Sequence, residues 1–179
     1  TLLYAQRCAC LTRTVVSTDS EEIAAVARKY GGEVLMRDPG LGRDDTPIWW
    51  VLRSVLAHEE ETAQYDYVVL LEVTSPLRRL GEMERALAIL TPRSEADGII
   101  ATAPYNFNPI WNSFTVDEEG FLRYIVPQGE AAYRRQMVAQ AWHHSGEFYL
   151  FRRDFIAQNH DGYQQGKLLH FPTPWQAAF

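Results

Sequence analysis

Lysine is scarce in this chain of 179 residues. Its positive charge comes from fifteen arginines and only two lysines, Lys29 and Lys167, and the net charge at neutral pH is −6. An acidic chain does not offer the basic surface that coats a nucleic acid, so we expect no nucleic-acid partner. A single nucleotide is still compatible with this charge, because a local cluster of arginines is enough to bind its phosphates.

Cysteines and long apolar runs are also few. The two cysteines, Cys8 and Cys10, supply too few ligands for a zinc site, and we expect two thiols on a packed helix. No stretch approaches the roughly 20 apolar residues of a membrane span, and no signal peptide is visible. We therefore expect a cytoplasmic protein with no membrane partner, folded as a single domain over residues 1–179.

The most informative stretch of the chain runs from Tyr65 to Arg78. Its apolar run, Tyr67 to Leu71, predicts a strand buried on both faces, as in a parallel sheet. A polar loop, Thr74 to Arg78 (TSPLR), follows this strand. Ligands of open α/β sheets bind just outside the carboxyl ends of the strands, and hydroxyls with a guanidinium suit an anionic or polyhydroxylated ligand. We therefore place the candidate site in this loop.

Predicted strands and helices alternate through the first 104 residues. Strands are predicted at 13–17, 33–36, 67–71 and 98–102, and helices at 2–10, 20–30, 47–56 and 81–91. In the second helix, Asp19 or Ser20 can cap the start. Its predicted buried face consists of Ile23, Val26, Ala27 and Tyr30. The alternation predicts a three-layer α/β domain with a mostly parallel sheet flanked by helices.

The alternation breaks between residues 105 and 142, a segment rich in aromatic and turn residues. Asp117 to Gly120 (DEEG) predicts the tip of a hairpin, so we expect an antiparallel arm inserted into the main fold. Exposed aromatic residues on such an arm favour a partner surface. A strand at 147–151, a helix at 154–158 and a strand at 168–171 complete the pattern.

Four segments, in order along the chain, carry a recognisable motif set. They are Val15–Ala24 (VVSTDSEEIA), Arg37–Pro39 with Asp44–Pro47, Thr74–Arg78, and Arg135-Gln136 with Gly146 and Tyr149–Phe151. Together they resemble the acylneuraminate cytidylyltransferases, or CMP-sialic acid synthetases. The resemblance implies a Rossmann-like nucleotidyltransferase fold and a homodimer in which the arm, residues 105–142, contacts the second subunit.

The resemblance also implies a reaction. A nine-carbon 2-keto sugar acid attacks the α-phosphate of CTP, a CMP-sugar for surface polysaccharide forms, and pyrophosphate leaves. Such transfers are catalysed mainly by positioning and charge neutralisation. The family implies Mg²⁺ as the cofactor that holds the phosphates.

The chain departs from the family pattern at several points. The family's basic phosphate loop and its late acidic metal pair have no counterpart in the sequence, so no catalytic residue and no metal ligand is assigned. We expect a sequence that is trimmed at both ends. The family's usual glutamine is Glu72 here, and its Asn-Gly is Ser145-Gly146. Because glutamate only accepts hydrogen bonds, Glu72 points to an altered sugar or to lost activity. The alternatives are a catalytically weak homologue that binds a nucleotide or sugar, and another nucleotide-sugar transferase on the same scaffold.

The candidate site residues fall into two sets. The substrate-binding set is Glu72, Thr74, Ser75, Arg78, Arg135 and Gln136. The nucleotide-binding set is Asp19, Arg37, Asp45 and Thr46. Structural roles compete with these assignments, since Asp and Thr also cap helices and loops and Arg78 can pair with Glu82. A buried unpaired carboxylate is costly, so Glu72 is expected to have a partner such as Arg78 or Arg135.

Overall fold

The computed structural model describes residues 1–58, 65–132, 134–158, 162–174 and 176. The helices are α1 (Leu2–Ala5), α2 (Glu21–Lys29), α3 (Ile48–His58), α4 (Glu82–Leu90), α5 (Pro109–Asn112) and α6 (Arg153–Ala157). The strands are β1 (Val15–Thr18), β2 (Glu33–Met36), β3 (Tyr67–Leu70), β4 (Gly98–Pro104), β5 (Phe114–Val116), β6 (Leu122–Tyr124), β7 (Trp142–Arg152) and β8 (Leu168–Pro172). The predicted order of elements is thus confirmed within the described residues.

The main sheet has four strands in the order β3-β7-β4-β8. Strand β7 is antiparallel to both β3 and β4, whereas β4 and β8 are parallel. The sheet is therefore mixed: β3, β4 and β8 run in one direction and β7 in the other, so the expectation of a mostly parallel sheet is confirmed only in part. The reason is that β4 and β7 form one long hairpin that closes where Tyr105 N donates to Ala141 O, 3.1 Å away. Hydrophobic patterns reveal which face a residue takes but not the direction of its strand.

Helices cover both faces of this sheet, so the predicted three layers are confirmed. On one face α4 packs on the sheet through Met83, Ala86, Leu90, Ile99, Ala101, Phe148, Leu150 and Phe171. On the other face α3 and α6 pack through Trp49, Leu52, Ile100, Tyr149, Phe151, Phe155 and Ile156. Strand β3 pairs with β7 on one side only within the described chain, and its residues are half-buried rather than buried on both faces. The edge position of β3 explains this difference.

Strands β1 and β2 form a separate parallel pair, in register from Val15 opposite Glu33 to Thr18 opposite Met36. Helix α2 lies beside them, with Ser20 as its cap. Its buried residues are Ala24 and Ala27, while Ile23, Val26 and Tyr30 are each more than half exposed. The predicted apolar face was therefore wrong in all but Ala27. The small alanines let the helix approach a sheet of only two strands, which leaves the larger side chains on the outer side.

The inserted arm contains a hairpin of β5 and β6, paired from Phe114 opposite Tyr124. The predicted tip is confirmed, with Gly120 at φ +89°, a conformation that favours glycine. Several large apolar side chains of the arm are more than half exposed: Phe107, Val116, Phe121, Leu122, Ile125 and Met137. The arm thus presents apolar surface without a cover from the described residues, and its role in a dimer stays a prediction.

The two cysteines follow α1 rather than lie on it, because the helix ends at Ala5. Both are free thiols, with Cys8 buried and Cys10 half-buried. Burial raises the pKa of both thiols, to about 11 for Cys10. Among the described helices, none has the length and apolar character needed to cross a membrane.

Candidate functional site

A bulge in β7 shapes the candidate site. Ile100 lies opposite Tyr149 and Thr102 opposite His144, so the segment 145–148 faces the single residue Ala101 on β4. Gly146, inside this segment, has φ +73°, in the left-handed region that favours glycine. Bulges redirect side chains and backbone groups, and they are common beside active sites. Here the bulge turns its carbonyls toward the loop that follows β3.

That loop, Glu72 to Arg78, is seated on the bulge. Ser75 is only 1% exposed, and its hydroxyl donates to Ser145 O over 3.4 Å. A Cβ added at Gly146 would lie 2.6 Å from Ser75 Oγ and 3.1 Å from Glu72 Oε2. Glycine is therefore required at this position both by its φ and by the close approach of the loop. The Ser145-Gly146 pair thus fixes where the loop lies.

The Arg78 side chain is directed into the protein. Its Nε donates to Glu147 O, its Nη1 to Ser75 O and to Thr1 Oγ1 (3.1 Å), and its Nη2 to Glu72 O and to Gly146 O (3.2 Å). The guanidinium therefore joins the loop, the β7 bulge and the start of the chain. It binds the backbone carbonyl of Glu72, not the carboxylate that we expected it to pair with.

The Glu72 carboxylate lies instead beside two tyrosines. Burial, and after it the charge of Glu72, raise the pKa of the Tyr149 and Tyr163 hydroxyls. His144 Nδ1 lies 3.2 Å from the Tyr163 hydroxyl, and the His144 ring meets both tyrosine rings edge-on. Glu72 is thus a hydrogen-bond acceptor in an aromatic, partly buried setting at the carboxyl end of β3.

A second cluster lies at the ends of β1 and β2. Arg37 Nη2 and Asp19 Oδ1 form an ion pair at 2.9 Å, and Arg37 N donates to Thr18 O over 2.9 Å. A Cβ at Gly42 would lie 2.2 Å from Asp19 Oδ2, so the loop after β2 passes directly over this carboxylate. Arg37 Nε is buried and has no acceptor among the described residues. This cluster offers a guanidinium donor and a carboxylate at adjacent strand ends.

The remaining candidates lie outside these clusters. Asp45 pairs with Arg43 at 2.9 Å, and both side chains are largely exposed. Thr46 donates its hydroxyl to Gly40 O over 3.2 Å, and α3 begins two residues later. Thr74 and Gln136 are exposed. Arg135 belongs to a short 3-10 turn, Arg135–Met137, and its side chain lies outside the described part of the structure.

Sequence reasoning missed a buried pair of carboxylates next to the site. Glu147, in the β7 bulge, is 1% exposed, and Glu82, the first residue of α4, is 7% exposed. Burial and the neighbouring Glu82 raise the pKa of Glu147 to about 7, while Thr173 and Arg78 oppose this rise. The only sequence signal was Glu147 itself, a charged residue at the start of an otherwise apolar run, EFYLF.

A cavity of about 520 Å³ opens between α3 and α6, away from both clusters. It is lined by Trp50, Arg53, Ser54, Leu56, Ala57, Arg153 and Ala157. None of the predicted site residues lines it, so the sequence motifs and this cavity point to different places. The candidate site lies at the strand ends, where the motif residues are.

Comparison with known proteins identifies the family. The cytidylyltransferase family model matches residues 2–167. The chain belongs to the cytidylyltransferase family. Its relatives include post-translational flagellin modification protein B of Campylobacter coli, 32% identical over 148 residues, which are 81% of this chain and 61% of that protein. They also include the N-acylneuraminate cytidylyltransferase of Streptococcus agalactiae serotype V, 28% identical over 85% of this chain and 37% of that protein. The family resemblance inferred from the motifs is thereby confirmed.

A solved structure has the same fold as this cytidylyltransferase family chain. The structure of CMP:2-keto-3-deoxy-manno-octonic acid synthetase complexed with CTP matches 97% of this chain and 77% of that one, with a TM-score of 0.65 and 16% identity. At this identity the match supports the nucleotidyltransferase α/β fold alone. The chain spans less than two thirds of the length of the two relatives named above.

Proposed function

We propose that the full-length protein transfers CMP from CTP to a sialic-acid-like 2-keto sugar acid and releases pyrophosphate. The observation that carries this proposal is the TSPLR loop seated on the bulged strand β7 at the carboxyl end of β3, in a chain of the cytidylyltransferase family. The sugar anomeric hydroxyl loses its proton to solvent, its oxygen forms a bond to the α-phosphorus, and the bond from that phosphorus to the pyrophosphate oxygen breaks. Positioning of these two groups is the main task of the protein.

The sugar acid is assigned to the cluster on the main sheet. Glu72 accepts hydrogen bonds, so it suits a hydroxyl or an amide N–H of the sugar. The carboxylate of the sugar acid is placed away from Glu72, because two carboxylates in contact repel each other. Thr74 and Ser75 are assigned to the loop side of the subsite, and Arg135 and Gln136 are assigned to it from the arm.

The nucleotide is assigned to the cluster at the ends of β1 and β2. Arg37 has a buried Nε free of acceptors among the described residues and thus retains donor capacity for a ligand. Asp19 holds the Arg37 guanidinium in place at 2.9 Å. Asp45 and Thr46 lie on the loop that leads into α3 and complete the proposed nucleotide contacts.

Mg²⁺ is proposed as the ion that accompanies CTP, since it binds chiefly to phosphates and one or two carboxylates. Within the described ranges, no three His, Cys, Asp or Glu side chains lie close enough together to hold a metal ion. The described residues therefore do not form a protein cage for the ion, and no step is assigned to it.

The experiment that tests the proposed function is pyrophosphate release by the full-length protein. CTP, UTP and ATP are each offered with N-acetylneuraminic acid, with other nine-carbon 2-keto acids, and with the eight-carbon 2-keto-3-deoxy-manno-octonic acid. We expect release with CTP and at least one nine-carbon acid. Calorimetric binding of CTP or a sugar acid without any turnover would instead support a catalytically weak homologue, and silence in both assays would refute the proposal.

We also propose a homodimer in which the arm contacts the second subunit. The exposed apolar residues of the arm support it, because such surface is rarely left open in a monomer. Analytical ultracentrifugation of the full-length protein should show a dimer, and replacing Phe121 and Leu122 at the hairpin by serine should shift it toward monomer. A wild-type monomer would contradict this assignment.

A further inference from the structure

All N–H groups of the Arg78 guanidinium donate to acceptors of the protein itself. A guanidinium has five N–H groups, and this one meets five acceptors: Glu147 O, Ser75 O, Thr1 Oγ1, Glu72 O and Gly146 O. The face of its guanidinium is also covered, since the Tyr4 ring centre lies 5.9 Å from Cζ. No donor of Arg78 is left for a ligand. The arginine of the TSPLR motif therefore acts on the loop and the bulge, not on a substrate.

The acceptors of Arg78 are neutral, so its charge needs a balance from elsewhere. Four of the five are backbone carbonyls and the fifth is a hydroxyl. Glu147, which is paired with Glu82, faces Arg78 and supplies negative charge, as does Glu72. Two carboxylates in contact inside a protein cannot both ionise at little cost, and a shared proton relieves their repulsion.

Within the described chain, two buried oxygens of this pair have no donor from another residue. They are Glu82 Oε2 and Glu147 Oε1. A buried carboxylate oxygen without a donor is costly. A proton held between the two carboxyl groups satisfies these oxygens and leaves the pair with one negative charge beside Arg78.

We propose that Arg78, Glu82 and Glu147 form one buried positioning unit, in which a carboxylate pair with a single shared proton balances Arg78 and holds the Glu72–Arg78 loop on the β7 bulge. The value of this unit for substrate binding rests on the proposed function of the loop. Its protonation is a property of the folded chain and stands apart from that function.

The groups that surround the unit determine which proton is lost near neutral pH. Those that face Arg78 or Glu147 are Tyr4 on α1, Cys8 after α1, Glu82 on α4, Glu72 in the loop, and Thr173 after β8, with Glu84 facing Tyr4 and Cys8. Burial raises the pKa of both Tyr4 and Cys8, so these two stay neutral at pH 5.5–8.5. The shared proton of the carboxylate pair is thus the one lost in this range.

The first test is the unfolding temperature as a function of pH. Because the pKa of Glu147 is raised from 4.5 to about 7, its proton stabilises the folded state below pH 4.5, and this contribution is lost as pH rises through 7. Glu147→Gln mimics the protonated form at every pH. We expect the unfolding temperature of Glu147→Gln, relative to that of the wild type, to rise by several degrees from pH 5.5 to pH 8.5. For Glu118→Gln, at the exposed hairpin tip, the difference from the wild type should be the same at both pH values. An equal difference at both pH values would overturn the shared proton.

The second test separates positioning from ligand contact. Affinities for N-acetylneuraminic acid and its uncharged methyl ester are measured by calorimetry for the wild type, Arg78→Ala and Arg78→Lys, with Arg79→Ala as the exposed neighbouring control. A positioning role lowers both affinities by the same factor, of order tenfold or more. A larger loss for the acid than for the ester would mean that Arg78 binds the carboxylate, and would refute the inference.

The two proposals fail in different ways. A wild type that neither binds nor activates any sugar acid refutes the proposed function, yet the pH test of Glu147→Gln is unaffected. A wild type that is active, with no pH-dependent gain in Glu147→Gln, refutes the positioning unit and leaves the function intact. Arg78→Lys keeps the positive charge, so it gives a result even if Arg78→Ala does not fold.

Discussion

The two clusters of candidate residues differ in how firmly the structure beneath them is packed. The Glu72–Arg78 loop lies on a four-stranded sheet that helices cover on both faces, and Arg78 alone joins it to the bulge and the start of the chain with three hydrogen bonds. The Asp19–Arg37 cluster lies on two strands and one helix, whose larger apolar residues are exposed. In the described chain the proposed sugar side is therefore preorganised, whereas the proposed nucleotide side is held by few contacts.

The largest effect is expected where the main sheet is packed. Trp49 is 1% exposed and meets the rings of Phe151 and Phe155 edge-on at 5.2 and 5.3 Å. Trp49→Ala should lower the free energy of unfolding by about 3–5 kcal/mol, measured by urea denaturation. The matched control is Trp50→Ala, because Trp50 is half exposed on the same helix and should cost under about 1 kcal/mol. Equal losses of free energy of unfolding in the two variants would mean that the two faces of α3 do not differ in packing.

The next effect concerns the contact between loop and bulge. Gly146→Ala places a Cβ 2.6 Å from the buried Ser75 hydroxyl at φ +73°, so we expect a loss of about 2–4 kcal/mol and a fall in sugar-acid affinity. Gly120 has a similar φ of +89°, but a Cβ added there would have no atom within 4 Å. The loss of stability in Gly120→Ala therefore measures the backbone strain alone, about 1 kcal/mol. Denaturation of both variants gives the steric part by difference. If the two losses are the same, the loop does not press on Gly146.

These two sites also show what the sequence could and could not predict. Trp49 was identifiable, since apolar periodicity places it on the inner face of α3, and the position of the TSPLR loop after β3 followed from the apolar run before it. The direction of β7 and the position of its bulge could not be predicted from the sequence, because they depend on pairing between distant residues. The roles of Arg78 and Glu147 depend on that same bulge. The exposed face of α2 was mispredicted because periodicity does not reveal how many strands a helix has to cover.

A smaller effect is expected on the other side of the comparison. Arg37→Ala removes a partly buried ion pair and should cost about 1 kcal/mol, while the KM for CTP rises about tenfold. Arg28→Ala breaks an exposed ion pair with Glu21 in the same β1–α2 unit, and should leave both quantities nearly unchanged. Steady-state kinetics with denaturation checks both variants. An unchanged KM in Arg37→Ala would remove the nucleotide assignment from this cluster while leaving the loop on the main sheet untouched.

The smallest effect is expected on the outer face of α2, and it is the sharpest test of the comparison. Val26 is 56% exposed, so Val26→Ala should change the free energy of unfolding by less than about 0.5 kcal/mol. The same substitution at Val51, which is 6% exposed on α3, should cost about 2 kcal/mol because it removes two buried methyl groups. Urea denaturation of both variants in the full-length protein decides the matter. A loss at Val26 as large as that at Val51 would mean that the outer face of α2 is covered there, and the nucleotide side would then be packed as firmly as the sugar side.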